Sequence, residues 1–250
     1  MNNYDPTCIA DIVFPTDRAE LLIQSIISGE RPFPQSGKNG ILLYGVVGTG
    51  KTVLAKLLPD AIETVKSGCD SDYTFERVQK GNDATTLLNR IANEAVLMPS
   101  ASHRYFVLDE VDNLTPDTMK SLKSVMNIPG PIFILTTNNL SKVERGVQDR
   151  CHLVEFNAAP HAAWLPLVRR VIRDQCVAVP DDQHLLSMIS RCQGSARRVV
   201  DIATEYVVQY RRQQRMLGLH PSVAPALLSA VNQPDNVVSH DNHVCLMVHD

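Results

Sequence analysis

The residues Gly45-Val46-Val47-Gly48-Thr49-Gly50-Lys51-Thr52 fit the pattern G-x-x-x-x-G-K-[ST], whose chemistry is the cradling of phosphate groups. The apolar run Ile41-Leu42-Leu43-Tyr44 leads in as a buried strand, and the residues after Thr52 continue as a helix. Glycines let such a loop curl, so that the N–H groups of Val47, Gly48, Thr49 and Gly50 can point at phosphate oxygens with the helix's positive end behind them. Lys51 has the reach for the β- and γ-phosphates, and Thr52 can place its hydroxyl on Mg²⁺. The plain alternative is a glycine-rich turn with an incidental lysine. The strand before and the helix after favour a bound nucleoside triphosphate.

Two further clusters end buried strands. Phe106-Val107-Leu108-Asp109-Glu110 sets two carboxylates at a strand's carboxyl end, where parallel sheets bind ligands. There Asp109 can hold Mg²⁺ through water and Glu110 can polarise an attacking water. Leu135-Thr136-Thr137-Asn138-Asn139 ends the next apolar run, and Asn138 can hydrogen-bond a γ-phosphate or the lytic water. Solvated acids at a strand end, and asparagines that merely start a turn, are the rival readings.

Positioning these groups requires strands that alternate with helices. Residues 1–15 read as extended. Asp17 reads as a helix cap, with Glu20 three positions on and Ala19, Leu22, Ile23, Ile26 and Ile27 on one buried face. Pro59 reads as a break in the helix after the phosphate loop. Residues 73–78 alternate like a strand, 83–97 read as a helix, and Thr115-Pro116 opens another. The strands at 105–108 and 132–135 are continuously apolar, which implies a parallel sheet covered on both faces. A strand over 152–156 closes this unit. From Pro160 to about Arg215 the apolar spacing is helical throughout, in three stripes. The expected architecture is α/β: a parallel-sheet nucleotide-binding core over 1–157, a small helical lid over 158–231, and a polar tail over 232–250.

The 250 residues are 44% hydrophobic and 20% charged, as in globular proteins that stay in water. No apolar run is long enough to cross a bilayer, and the first residues lack the basic and apolar regions of a signal peptide. No membrane partner is expected. Six scattered cysteines without a Cys-x-x-Cys pair suggest neither a disulfide framework nor a zinc site, so a reducing cytoplasm is the expected setting. The net charge of −3 argues against a generic nucleic-acid coat. It is unevenly spread, since residues 151–220 carry 9 Lys+Arg against 6 Asp+Glu. That segment either faces an acidic partner or is a solvated helical surface. His240, His243 and Cys245 have a loose metal-like spacing within a tail that reads as disordered.

Together these motifs resemble the AAA+ ATPases and, within them, the small subunits of clamp loaders of the replication factor C type. Leu108 to Asp117 is similar to that family's second nucleotide motif and the helix after it. Ile134 to Asn138 resembles its sensor-one strand, with Asn138 the sensor. Gln148-Asp149-Arg150-Cys151 is similar to the Ser-Arg-Cys signature, which implies that Arg150 acts in trans across a subunit interface. Gly194-Ser195-Ala196-Arg197 resembles the sensor-two turn, which implies that Arg197 reaches the phosphates from the lid. Asp5-Pro6 through Val13 resembles the stretch that packs on adenine, making Ile12 and Val13 candidate base contacts. The likeness spans roughly residues 4–215.

The resemblance implies ATP and Mg²⁺ as cofactors and a self-oligomer or related AAA+ subunits as partners. DNA and a replication protein are further candidate partners, with Lys120 and Lys123 near the family's DNA-tracking positions. On an amphipathic helix those lysines equally read as a solvated face. Three departures stand out. Asp149 replaces the signature serine, Ser195 replaces an acid, and the chain ends before the family's helical collar. The expected function is an ATP-driven loader or remodeller on DNA, of the clamp-loader and initiator kind. The rivals are a helicase-loading or transposition-targeting adaptor ATPase, and a protein-remodelling subunit with no DNA role.

Overall fold

A computed structural model describes residues 4–79 and 84–217 of the chain. Its first unit is a parallel sheet of five strands in the order β2-β3-β4-β1-β5. The strands are β1 (Gly40–Tyr44), β2 (Asp72–Arg77), β3 (Arg104–Asp109), β4 (Ile132–Thr137) and β5 (Cys151–Glu155). Although β1, β3 and β4 read as unbroken apolar runs, successive side chains serve opposite faces. Ile41, Leu43, Tyr105, Val107, Ile132 and Ile134 pack with α1 (Asp17–Ile27) and α2 (Lys51–Ser67). Leu42, Phe106, Leu108, Phe133 and Leu135 pack with α3 (Ala84–Ala95), α4 (Pro116–Val125) and α5 (Arg145–Asp149). This is the α/β, doubly covered parallel sheet that the continuous runs imply.

A helical unit follows, with α6 (Leu165–Asp174), α7 (Asp182–Ser190) and α8 (Ala196–Met216). Trp164, Val168, Val171, Ile172, Leu185, Ile189, Val199 and Ala203 form its interior. Tyr4 and Val13 pack against this cluster, whereas Ile12 and Phe14 pack against the sheet's cluster. The amino-terminal stretch thus lies along both units. Among the described residues no helix is long and apolar enough to cross a membrane. The remainder of the expected lid beyond residue 217, the expected tail, and His240, His243 and Cys245 lie outside the described residues.

Three local expectations are corrected. Residues 9–11 form a 3₁₀ turn instead of extended chain, held because the Asp11 carboxylate accepts from Thr7 and Cys8. The cap of α1 is Thr16, not Asp17: its hydroxyl accepts the Ala19 N–H at 3.2 Å. Asp17 becomes the first helical residue, where its charge favours the helix's positive end. Pro59 does not break α2, which continues to Ser67 and ends at Gly68 in a left-handed conformation. An interior proline costs about 3 kcal/mol. Leu54, Leu58 and Ile62 are completely buried on the same helix, each contributing about 1.5–3 kcal/mol, so packing outweighs the lost hydrogen bond.

One buried charge ties α2 to β3 at the end of the sheet away from the phosphate loop. Glu63 is fully buried and accepts from Ser67 Oγ at 2.7 Å, Ser102 N at 2.6 Å and Tyr105 OH at 2.7 Å. Burial by itself would raise its pKa. The bonds from Ser102, Tyr105 and Ser67 outweigh it and bring the carboxyl from its ordinary 4.5 down to about 2. A depressed folded pKa stabilises the protein above the unfolded value and loses that contribution as pH falls through the folded value. Wild type should therefore lose stability relative to Glu63→Gln between pH 4.5 and about 2. At neutral pH the Gln variant should be less stable by about 1–3 kcal/mol, because its amide faces donors. Urea unfolding across this pH range checks both.

Candidate nucleotide site

The phosphate loop leaves β1 and enters α2, so its backbone sits at the carboxyl edge of the sheet beside β4, where the chain order reverses. The loop is braced from below. Thr49 is buried, and its hydroxyl donates to Phe156 O at 2.8 Å and Val46 O at 3.1 Å. The Val46 N–H donates to Asn157 Oδ1 at 3.1 Å. Val47 stands out at 74% exposed. Lys51 is buried, and its ammonium donates to the carbonyls of Gly45 at 2.9 Å and Val46 at 2.6 Å, inside the loop's own curl. Burial lowers its pKa from the ordinary 10.5, and the nearby charges of Asp109, Asp112 and Glu110 oppose that shift.

Asp109 is the centre of the polar network. It is completely buried at the end of β3, and Oδ1 accepts from Thr52 Oγ1 at 2.8 Å and Thr136 Oγ1 at 2.6 Å. Oδ2 accepts from Arg77 Nε at 3.0 Å. Parallel pairing sets Arg77 directly opposite Asp109. Thr52 and Asp109 thus meet as neighbouring hard oxygen donors, the kind that Mg²⁺ takes. Their arrangement fits such an ion at the foot of the phosphate loop.

Glu110 follows in a left-handed conformation, φ 62° and ψ 48°, which is costly for a residue with a side chain. Two bonds hold it there. Its N–H donates to Thr136 Oγ1 at 2.9 Å, and its carboxylate accepts from Asn113 Nδ2 at 3.2 Å. Thr136 therefore binds both acids at once. Asp112 accepts from Thr137 Oγ1 at 3.0 Å and from the Asn138 N–H at 3.2 Å. The Asn138 side chain is exposed at the same edge.

The helical unit closes over this edge. The Ala196 N–H donates to Gly48 O at 3.0 Å, and a Cβ on Gly48 would come within 3.2 Å of Ser195 Oγ. Gly194 lies so near Ala158 that a Cβ would sit 2.1 Å from that residue's own Cβ, and its φ is +76°. Only glycine permits this approach. Arg197 is exposed on the first turn of α8, one residue beyond the contact with the loop.

Arg150 lies elsewhere. Its carbonyl accepts from Asn39 N and Gly40 N at the start of β1, the sheet end opposite the phosphate loop. The structure therefore brings Thr49, Lys51, Thr52, Asp109, Glu110 and Asn138 together and separates Arg150 from them. Lys120 and Lys123 on α4 each have an acidic partner, Asp117 at 3.1 Å and Glu144 at 2.5 Å. Lys120 is exposed, whereas Lys123 is half-buried against Gly146.

Arg77, Asn113 and Asn157 escaped the sequence reading. Arg77 ends a half-exposed edge strand, and only the strand register reveals its partner. For Asn113 the one available signal is its spacing, three residues after Glu110.

Residues 40–146 match the family model described as the AAA domain (dynein-related subfamily). The chain is 28% identical to replication factor C small subunit 2 of Pyrobaculum islandicum over 82% of its length. It is 25% identical to the probable replication factor C subunit 2 of Dictyostelium discoideum over 80%. It spans 66% and 58% of the lengths of those relatives. The Thermotoga maritima RuvB Holliday junction branch migration motor superposes with a TM-score of 0.63 at 13% identity, covering 92% of this chain and 73% of that one. That likeness is one of fold.

If Arg77 supplies the positive charge that balances buried Asp109, Arg77→Ala should lower the thermal midpoint in EDTA. Excess Mg²⁺ with ATP should recover most of the deficit, because a cation then faces the same carboxylate. Equal deficits in both conditions would contradict this role. Lys51→Ala should reduce ATP affinity at least tenfold by titration, since the phosphates lose their only lysine within the loop.

Proposed function

We propose that this chain, an AAA+ protein resembling the small subunits of replication factor C, binds ATP with Mg²⁺ and hydrolyses it. We further propose that it couples the nucleotide cycle to assembly on, or remodelling of, DNA complexes. The observation that carries the reading is the Thr52–Asp109–Thr136–Glu110 chain of hydrogen bonds at the foot of the phosphate loop. It joins the groups that hold a cation and activate water in one rigid array.

In this reading the core covers residues 1–157 and the lid 158–231, with ATP between them. The N–H groups of Val47, Gly48, Thr49 and Gly50 bind the phosphates, and Lys51 turns from the loop carbonyls toward them. Ile12 and Val13 flank the base, a role supported by their packing on the core and on the helical unit respectively. Thr52 and Asp109 would hold Mg²⁺, which when bound offsets phosphate charge. Glu110 takes the proton of the attacking water, Asn138 orients that water or the γ-phosphate, and Arg197 contacts the phosphates from α8. Arg150 faces the nucleotide of a neighbouring subunit, either a second copy or a related AAA+ chain. Its place at the sheet end away from its own loop supports action in trans.

Glu110→Gln should keep ATP bound yet slow turnover at least a hundredfold, since an amide is nearly isosteric but a poor base. Steady-state hydrolysis beside a nucleotide titration checks this, and normal turnover would remove Glu110 from the mechanism. Arg150→Ala should likewise bind ATP and hydrolyse it poorly. Mixing it with Lys51→Ala should restore part of the activity, because a whole phosphate loop then meets a whole arginine at some interfaces. Sizing with ATP accompanies the mixture, and a stable self-oligomer without rescue would contradict the trans arginine. Turnover measured with and without primed and single-stranded DNA tests the proposed substrate.

A further inference from the structure

Arg150 is held from its backbone to the tip of its side chain. Its carbonyl accepts from Asn39 N at 3.1 Å and Gly40 N at 3.0 Å. Lys38 Nζ donates to the carbonyls on either side of it, Asp149 at 3.0 Å and Cys151 at 2.9 Å. At the tip, Nε and Nη2 both donate to Asn127 Oδ1, at 2.9 and 2.6 Å, and Nη1 donates to Gly146 O at 2.7 Å. A guanidinium has five N–H donors, so two remain, one on each terminal nitrogen. Both are free to donate to phosphate oxygens.

The charge is not spent locally. Every acceptor that Arg150 meets is a neutral amide or carbonyl oxygen. Among the described residues neither Arg150 nor Lys38 lies within ion-pair distance of a carboxylate, although Asp149 lines the same cleft. That open cleft of about 530 Å³ lies between residues 34–39 and the turn 126–130, with Arg150 on its wall. Asn127 itself is firmly placed. Its N–H donates to Ser124 O at the end of α4, and Asn39 Nδ2 donates to the adjacent Met126 O at 2.9 Å. Its side chain is otherwise exposed, so it serves the guanidinium and not the core.

We infer that Asn127 is a positioning residue: its amide oxygen orients Arg150 so that the two remaining donors and an uncompensated charge face the phosphate of a nucleotide held by a neighbouring subunit. This rests on the reading of Arg150 as the trans arginine. A neutral acceptor suits the task, since it fixes the plane of the guanidinium without neutralising it. A carboxylate at the same place would pair with the charge and leave less for the phosphate.

The test uses the full chain. Asn127→Ala should lower kcat about ten- to a hundredfold, the scale of a misplaced catalytic group. KM, ATP affinity and the thermal midpoint should stay near wild type. Asn127→Asp keeps the acceptor atom and adds the charge, and should also lose at least tenfold in kcat. Mixing Asn127→Ala with Lys51→Ala should restore turnover. The double variant Asn127→Ala/Arg150→Ala should be no slower than Arg150→Ala alone, because Asn127 acts only through the arginine. Wild-type kcat in Asn127→Ala beside a slow Arg150→Ala would overturn the positioning role and leave the trans arginine standing. So would losses that multiply in the double variant. Wild-type turnover in Arg150→Ala would overturn both.

Discussion

A carboxylate taken wholly out of water costs several kcal/mol unless charge and hydrogen bonds replace the lost hydration. At Asp109 that replacement comes from three elements: Thr52 at the start of α2, Thr136 on β4 and Arg77 on β2. Each donor restrains the element that carries it. Thr52 fixes where α2 begins and hence the exit of the phosphate loop. Thr136 fixes the carboxyl end of β4 and, through the Glu110 N–H, the strained turn after β3. The site is rigid because satisfying one buried charge requires its parts to be in register.

Sheet order makes this possible. Inserting β1 between β4 and β5 brings the phosphate loop beside Thr136 and Thr137 on one side and Phe156 and Asn157 on the other. The helical unit then seals the edge by backbone contact, Ala196 N–H on Gly48 O. That bond links the first turn of α8 to the loop itself, so a shift of the loop would be felt at the start of α8. The amino-terminal stretch adds a second link, with Ile12 on the sheet side and Val13 on the helical side.

The opposite end of the sheet has a different character. Glu63 is buried there with its donors satisfied, and its depressed pKa describes a group that stabilises the fold. Arg150, on the same end, is fixed by neutral acceptors and left charged. One charge is consumed by the structure and the other is displayed by it. The parallel sheet sets the glycine-rich loop at one edge and Arg150 at the other.

The amino-acid sequence by itself determined the phosphate loop, the acidic pair and the covered parallel sheet, because each depends on residues adjacent in the chain. A glycine-rich turn between an apolar run and a helix has its chemistry written in its spacing, and so has Asp109-Glu110 after four apolar residues. Local competitions were harder. Thr16 against Asp17 as a cap turned on which oxygen reached Ala19 N, and Pro59 turned on packing from Leu54, Leu58 and Ile62. What only the tertiary structure decided was partnership across the chain: Arg77 with Asp109, Asn157 with Val46, Asn127 with Arg150. In sequence these are a polar strand end and two loop asparagines. Their roles follow from which strands become neighbours and in what register, and that is set by how both faces of the sheet bury their side chains.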